Sequence, residues 1–144
     1  MNRQVNRFRG RCHCGNVEIE FTTRLSADEL YVRACSCSFC SRHGARTTSD
    51  SKGSVRIVIH DPKQVIRYRF GLKTADFLVC KRCGIYAAAI MSLGDKSYAT
   101  INVNTFEPPL EFAKVPAAVD YGAESEAQRT TRRERAWTPV SSIE

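Results

Sequence analysis

Seven cysteines in a chain of 144 residues fall into three tight groups: Cys12-His13-Cys14, Cys35-Ser36-Cys37-Ser38-Phe39-Cys40 and Cys80-Lys81-Arg82-Cys83. Zinc held by thiolates needs sulfurs converging at about 2.3 Å from one ion, and two cysteines one or two residues apart achieve this from a tight turn. The amino-terminal sequence Met1-Asn2-Arg3-Gln4-Val5 lacks the apolar stretch of an export signal. The protein is therefore expected to be soluble and cytoplasmic, where thiols stay reduced and metal is a better use for clustered cysteines than disulfides.

Glycine follows the second cysteine of two groups, in Cys14-Gly15 and Cys83-Gly84, where a knuckle turn calls for positive φ; Cys40 is followed by serine. This pairs Cys12, Cys14, Cys80 and Cys83 as a four-thiolate structural zinc site. Cys35, Cys37 and Cys40 remain, able to hold a second zinc on one side and leave a coordination position open, the mark of a catalytic site. Two inert alternatives stay open: the three thiols are buried and unmetallated, or His43, three residues beyond Cys40, closes the site as a fourth ligand. His13 and His60 are assigned no role.

The elements that must position these groups are short. Period-two alternation marks strands at Val17–Phe21, Leu30–Ala34, Val55–Ile59, Val65–Phe70, Ile85–Ile90 and Tyr98–Val103. Turn signals at Ser51-Lys52-Gly53, His60-Asp61-Pro62, Gly71-Leu72-Lys73 and Leu93-Gly94-Asp95 space them as hairpins. No helix-length segment separates them, which disfavours parallel βαβ winding and gives a mainly β fold with one helical turn from about Cys37 to His43. The tail differs. Acids precede bases across residues 124–135, as a helix dipole favours, so a C-terminal helix is expected there, with Trp137 returning to dock on the β core. The division expected is a zinc-binding domain over 8–110 and a C-terminal extension over 111–144.

Hydrophobic content of 42% and charged content of 26% exclude disorder as the main state. No apolar run reaches the roughly 18–20 residues that cross a bilayer. The net charge of +7 attracts anions without identifying them.

The three clusters, with Gly10-Arg11 before the first and Phe77-Leu78-Val79 before the last, resemble the glutathione-dependent formaldehyde-activating enzyme family, which includes the centromere protein V domain. The resemblance covers about residues 8–107 and implies a β-tent, short antiparallel sheets held together by zinc. It also implies two zincs per chain, with Cys12, Cys14, Cys80 and Cys83 structural and Cys35, Cys37 and Cys40 at the second ion. The implied activity is a carbon–sulfur lyase step joining or releasing glutathione, as thiol co-substrate, and a small aldehyde such as formaldehyde. One departure is the unusually small strand Ile85-Tyr86-Ala87-Ala88-Ala89, which points to a different pocket.

Arg33, Arg42, Arg46 and Lys81 are the cations nearest the clusters in sequence and are candidates to support a three-thiolate zinc. A second reading is a non-catalytic, zinc-stabilised module for nucleic acid or protein, using Arg129, Arg132, Arg133 and Arg135. Against nucleic acid, the charge is spread along the chain and no aromatic platform interleaves the tail arginines. A third reading rests on fold alone, since β-tents also occur in a methionine sulfoxide reductase and a Rab-GTPase accessory factor.

Overall fold

A computed structural model describes residues 4–110 and 115–144. The expected division between 110 and 111 falls at the edge of residues 111–114, which lie outside the described residues. Among these described residues eleven strands form: β1 (Asn6–Arg11), β2 (Val17–Thr23), β3 (Val32–Cys35), β4 (Thr47–Thr48), β5 (Ser54–Ile59), β6 (Val65–Tyr68), β7 (Asp76–Cys80), β8 (Tyr86–Leu93), β9 (Lys96–Asn102), β10 (Ala117–Val119) and β11 (Thr138–Ile143). Two α-helices accompany them, α1 (Ser38–His43) and α2 (Glu126–Ala136). Among the described residues no helix is long and apolar enough to cross a membrane.

Alternation does its expected work in β2 and β5. Val17, Ile19 and Phe21 of β2 and Val55, Ile57 and Ile59 of β5 are buried, and the two strands pair in antiparallel register. With β1 they make one sheet, whose inner face stacks Phe8 on Phe106 at 5.6 Å between ring centres. The second sheet runs β6-β7-β8-β9, and β9 then carries β4 along Ile101–Asn102 and β11 along Tyr98–Ala99. The further half of β11 pairs with β5, so this last strand joins the two sheets without closing them. This is the β-tent with one C-terminal helix.

Two pairings are parallel, β11 with β5 and β10 with β3, where hairpin reasoning supplies only antiparallel partners. Both bring the C-terminal segment back to strands far upstream, so neither needs a crossover helix.

Strand β8 is buried on both faces, and its small side chains suit that position. A bulge between the pairs Leu78–Ala88 and Val79–Tyr86 places Ala87 and Ala88 in the first core, with Val17, Ile57 and Leu78. Tyr86 and Ala89 face a second core built with Cys40, Phe77, Met91 and Trp137. Trp137 caps the end of α2 and is buried, as the tail reading expects. Helix α2 starts at a capping box in which Ser125 and Gln128 satisfy each other's backbone N–H groups.

Candidate functional site

The first cluster is a clasp between two hairpins. Cys12 and Cys14 sit in the turn joining β1 to β2, while Cys80 ends β7 and Cys83 lies in the turn into β8. Gly15 and Gly84 have φ of 85° and 77°, as the knuckle argument requires. Their N–H groups close the turns on the carbonyls of Cys12 and Cys80, at 3.1 and 2.8 Å. Sulfurs at the corners of a zinc tetrahedron stand about 3.8 Å apart. Cys12 and Cys14 are separated by 3.8 Å and Cys14 and Cys80 by 3.5 Å, and all four sulfurs lie within 4.8 Å of one another. The donor set fits a closed tetrathiolate site. Burial pushes the Cys12 thiol up to about 11, opposed by the Val17 N–H on its sulfur. At Cys83 burial also raises the value, but hydrogen bonds from the Cys14 and Ile85 backbone and from the Cys80 and Cys12 thiols outweigh it and hold it down to about 6.

The second cluster has a different build. Cys35 ends β3, Cys37 is the N-cap of α1, and Cys40 is buried within that helix. The Cys37 sulfur accepts the Cys40 N–H at 3.3 Å, and Gly44, left-handed at φ 57°, terminates the turn. The three sulfurs lie within 4.8 Å of one another, and among the described residues no histidine or carboxylate joins them. His43 instead packs its ring on Phe39 and Tyr86, at 4.5 and 5.7 Å. The Cys40 thiol donates to Cys35, holding Cys35 down to about 5 and pushing Cys40 up; burial opposes the first shift and adds to the second. The charge of Arg132 lowers Cys35 further.

A cavity of about 290 Å³ opens over these sulfurs. Its walls come from β3, the Phe70–Phe77 segment, Tyr86 of β8, the Val119–Gly122 loop and α2. Of the cations that sequence proximity suggests, Arg33 lines it, buried. Arg42, Arg46 and Lys81 are not on its wall. Arg42 folds back onto the Ser38 carbonyl at 3.0 Å, Arg46 reaches Asn104 at 2.8 Å, and Lys81 lies in the other knuckle. The cations that sequence proximity missed are Arg129, Arg132 and Arg133, all lining residues. Their spacing at i, i+3 and i+4 puts them on one face of α2, the only sequence signal of their inward aim. Arg135 is exposed and outside the lining. His13 is exposed, and His60 pairs with Glu18 at 2.8 Å.

Residues 7–121 match the family model described as glutathione-dependent formaldehyde-activating enzyme. The chain belongs to that family. Among solved structures it is similar to a crystal structure of a Rhodobacter sphaeroides protein. The two are 33% identical with a TM-score of 0.58, over 77% of this chain and 99% of the other. No curated protein matches the chain. The family match ends at Tyr121, so α2 and its arginines lie beyond it.

Proposed function

We propose that the chain is a zinc-dependent enzyme of the carbon–sulfur lyase type, joining a glutathione-like thiol to a small aldehyde or releasing it. The observation that carries this reading is the trio Cys35, Cys37 and Cys40, three sulfurs without a fourth protein ligand among the described residues, lining a cavity sized for a small molecule. Zinc held there supplies a Lewis-acidic position that lowers the pKa of an added thiol.

The chain's own residues do the rest. Phe70, Phe77 and Trp137 wall the cavity with apolar surface, keeping water from the thiol and the aldehyde carbon. In the forward direction the thiol sulfur forms a bond to the carbonyl carbon, the C=O double bond opens onto oxygen, and that oxygen gains the proton the thiol gives up. No electron acceptor is needed. Tyr86 is fully buried, and burial first, then the charges of Cys40, Cys37 and Cys35, raise its pKa well above 10. It remains a neutral phenol whose O–H donates to the developing alkoxide.

The test is Cys37→Ser. Serine is itself a good N-cap, so α1 keeps its first hydrogen bond while the sulfur is lost. The expected result is loss of the rate above the spontaneous thiol–formaldehyde reaction, read by carbon-13 exchange NMR, with the first-cluster zinc retained. Full activity in this variant would reject the site.

A further inference from the structure

Among the described residues, the cavity over Cys35, Cys37 and Cys40 is lined by four arginines and one carboxylate, Asp120, which is exposed. Two of the arginines are already paired. Glu124 accepts from Arg129 at 3.4 Å and from Arg132 at 2.8 and 3.1 Å, and Arg132 also lies 3.5 Å over the Tyr121 ring. Arg33 and Arg133 are different. Each is only 7% exposed, and among the described residues neither has a carboxylate within ion-pair distance.

Arg33 reaches the hydroxyls of Ser49 at 2.6 Å and Thr100 at 3.5 Å and interacts with the Tyr121 side chain, with the Tyr31 ring at 5.7 Å. Arg133 donates from Nη1 to Thr74 at 2.7 Å and sits 4.6 Å from the centre of the Trp137 ring. Its Nε is the one buried side-chain nitrogen or oxygen without a hydrogen-bond partner among the described residues. Burial lowers Arg133 first, with Arg132 and Arg129 adding repulsion, but only to about 10, so the group is charged at neutral pH. A buried, charged guanidinium whose Nε has no partner and whose position faces the cavity is costly and calls for an anion.

We propose that the substrate of this cavity carries a carboxylate which pairs with Arg133, making Arg133, beyond the family's matched segment, a specificity-determining residue. The proposal rests on the thiol–aldehyde reading of the same cavity and narrows it. Formaldehyde has no group for this arginine. The carboxylate therefore belongs either to the thiol, as in glutathione, or to the aldehyde, as in a 2-oxo acid such as glyoxylate. The planar guanidinium fork matches a carboxylate in two parallel hydrogen bonds, and the apolar walls around it strengthen them.

Trp137 is the single tryptophan and lies beside Arg133, so its fluorescence reports occupancy, with calorimetry as a second readout. The zinc-loaded full chain is titrated with 3-mercaptopropionate, with 3-mercapto-1-propanol, which replaces the carboxylate by an alcohol, and with propionate and inorganic phosphate. The expected result is that 3-mercaptopropionate binds at least about tenfold more tightly than the alcohol. In Arg133→Gln that preference falls to within about twofold with zinc content unchanged, while Arg133→Lys, which keeps the charge and guards against a folding artefact, retains part of it. Equal affinity of the two thiols in the native chain, or a preference that survives in Arg133→Gln, overturns the proposal. So does tighter Arg133-dependent binding of phosphate than of propionate.

If neither thiol engages the metal yet propionate binds through Arg133, the carboxylate site stands and the thiol reading falls; if propionate and both thiols all fail to bind, the proposal falls. Comparing glutathione with its diethyl ester, and glyoxylate with formaldehyde against 2-mercaptoethanol, then identifies which partner brings the carboxylate.

Discussion

Reducing each cysteine cluster to two thiolates should destabilise the fold unequally, because the two clusters clip very different lengths of chain. Cys14 and Cys80 lie 66 residues apart in sequence and their sulfurs are 3.5 Å apart, so a metal there closes a long loop. The second cluster closes only residues 35–40. Cross-link entropy gives about 4 kcal/mol for the long loop and about 2 kcal/mol for the short one, a difference of about 2 kcal/mol. For a domain of this size that is a gap of about 7 °C in melting temperature.

The pair to compare is the double variant Cys14→Ser/Cys83→Ser and the single variant Cys35→Ser, each of which leaves only two thiolates in its cluster. Cys14 is exposed and Cys83 and Cys35 are half-buried, so neither variant opens a large core cavity and the lost metal clip dominates. Calorimetric melting under reducing conditions, with zinc counted by native mass spectrometry, should place the double variant lower by that margin. Equal melting temperatures, or a lower one for Cys35→Ser, would refute the assignment of the first cluster as the clasp between the hairpins.

Two further outcomes follow from the C-terminal segment. The hydrogen bond from Arg132 holds the Glu124 carboxyl below its usual range, with burial opposing, so its contribution is present above the unfolded pKa and disappears as pH falls through the folded one. Glu124→Gln should cost about 1–2 kcal/mol at pH 7, and denaturant titrations should show the gap to the native chain closing below about pH 4. Trp137→Ala removes a buried ring from the second core and from the cavity wall, and should lower stability by about 3 kcal/mol or more, measured by the same titration.

How much the sequence discloses varies by element for physical reasons. Strands β2 and β5 are half-buried and alternate, so their period is plain. Strand β7, Asp-Phe-Leu-Val-Cys, carries apolar side chains on consecutive positions with Phe77 and Leu78 both buried, and shows no alternation. Strands β4 and β10 are two and three residues long, too short for any period, and β11 reads Thr-Pro-Val-Ser-Ser-Ile, which is polar because it stitches two sheets rather than filling a core. The cysteine clusters are legible because residues that share a knuckle must be close in sequence. The arginines of α2 are not, since a guanidinium on a helix reads as a solvated charge until packing turns it inward. Arg133 announces itself only through the burial of its side chain and the unpaired Nε.

The central claim is that Cys35, Cys37 and Cys40 hold a metal whose remaining position accepts a thiol. Native mass spectrometry of the folded chain, with and without millimolar glutathione, tests it most directly. Two zincs per chain are expected, the second found in a glutathione adduct or lost when glutathione is added. One zinc, indifferent to glutathione, would contradict the claim.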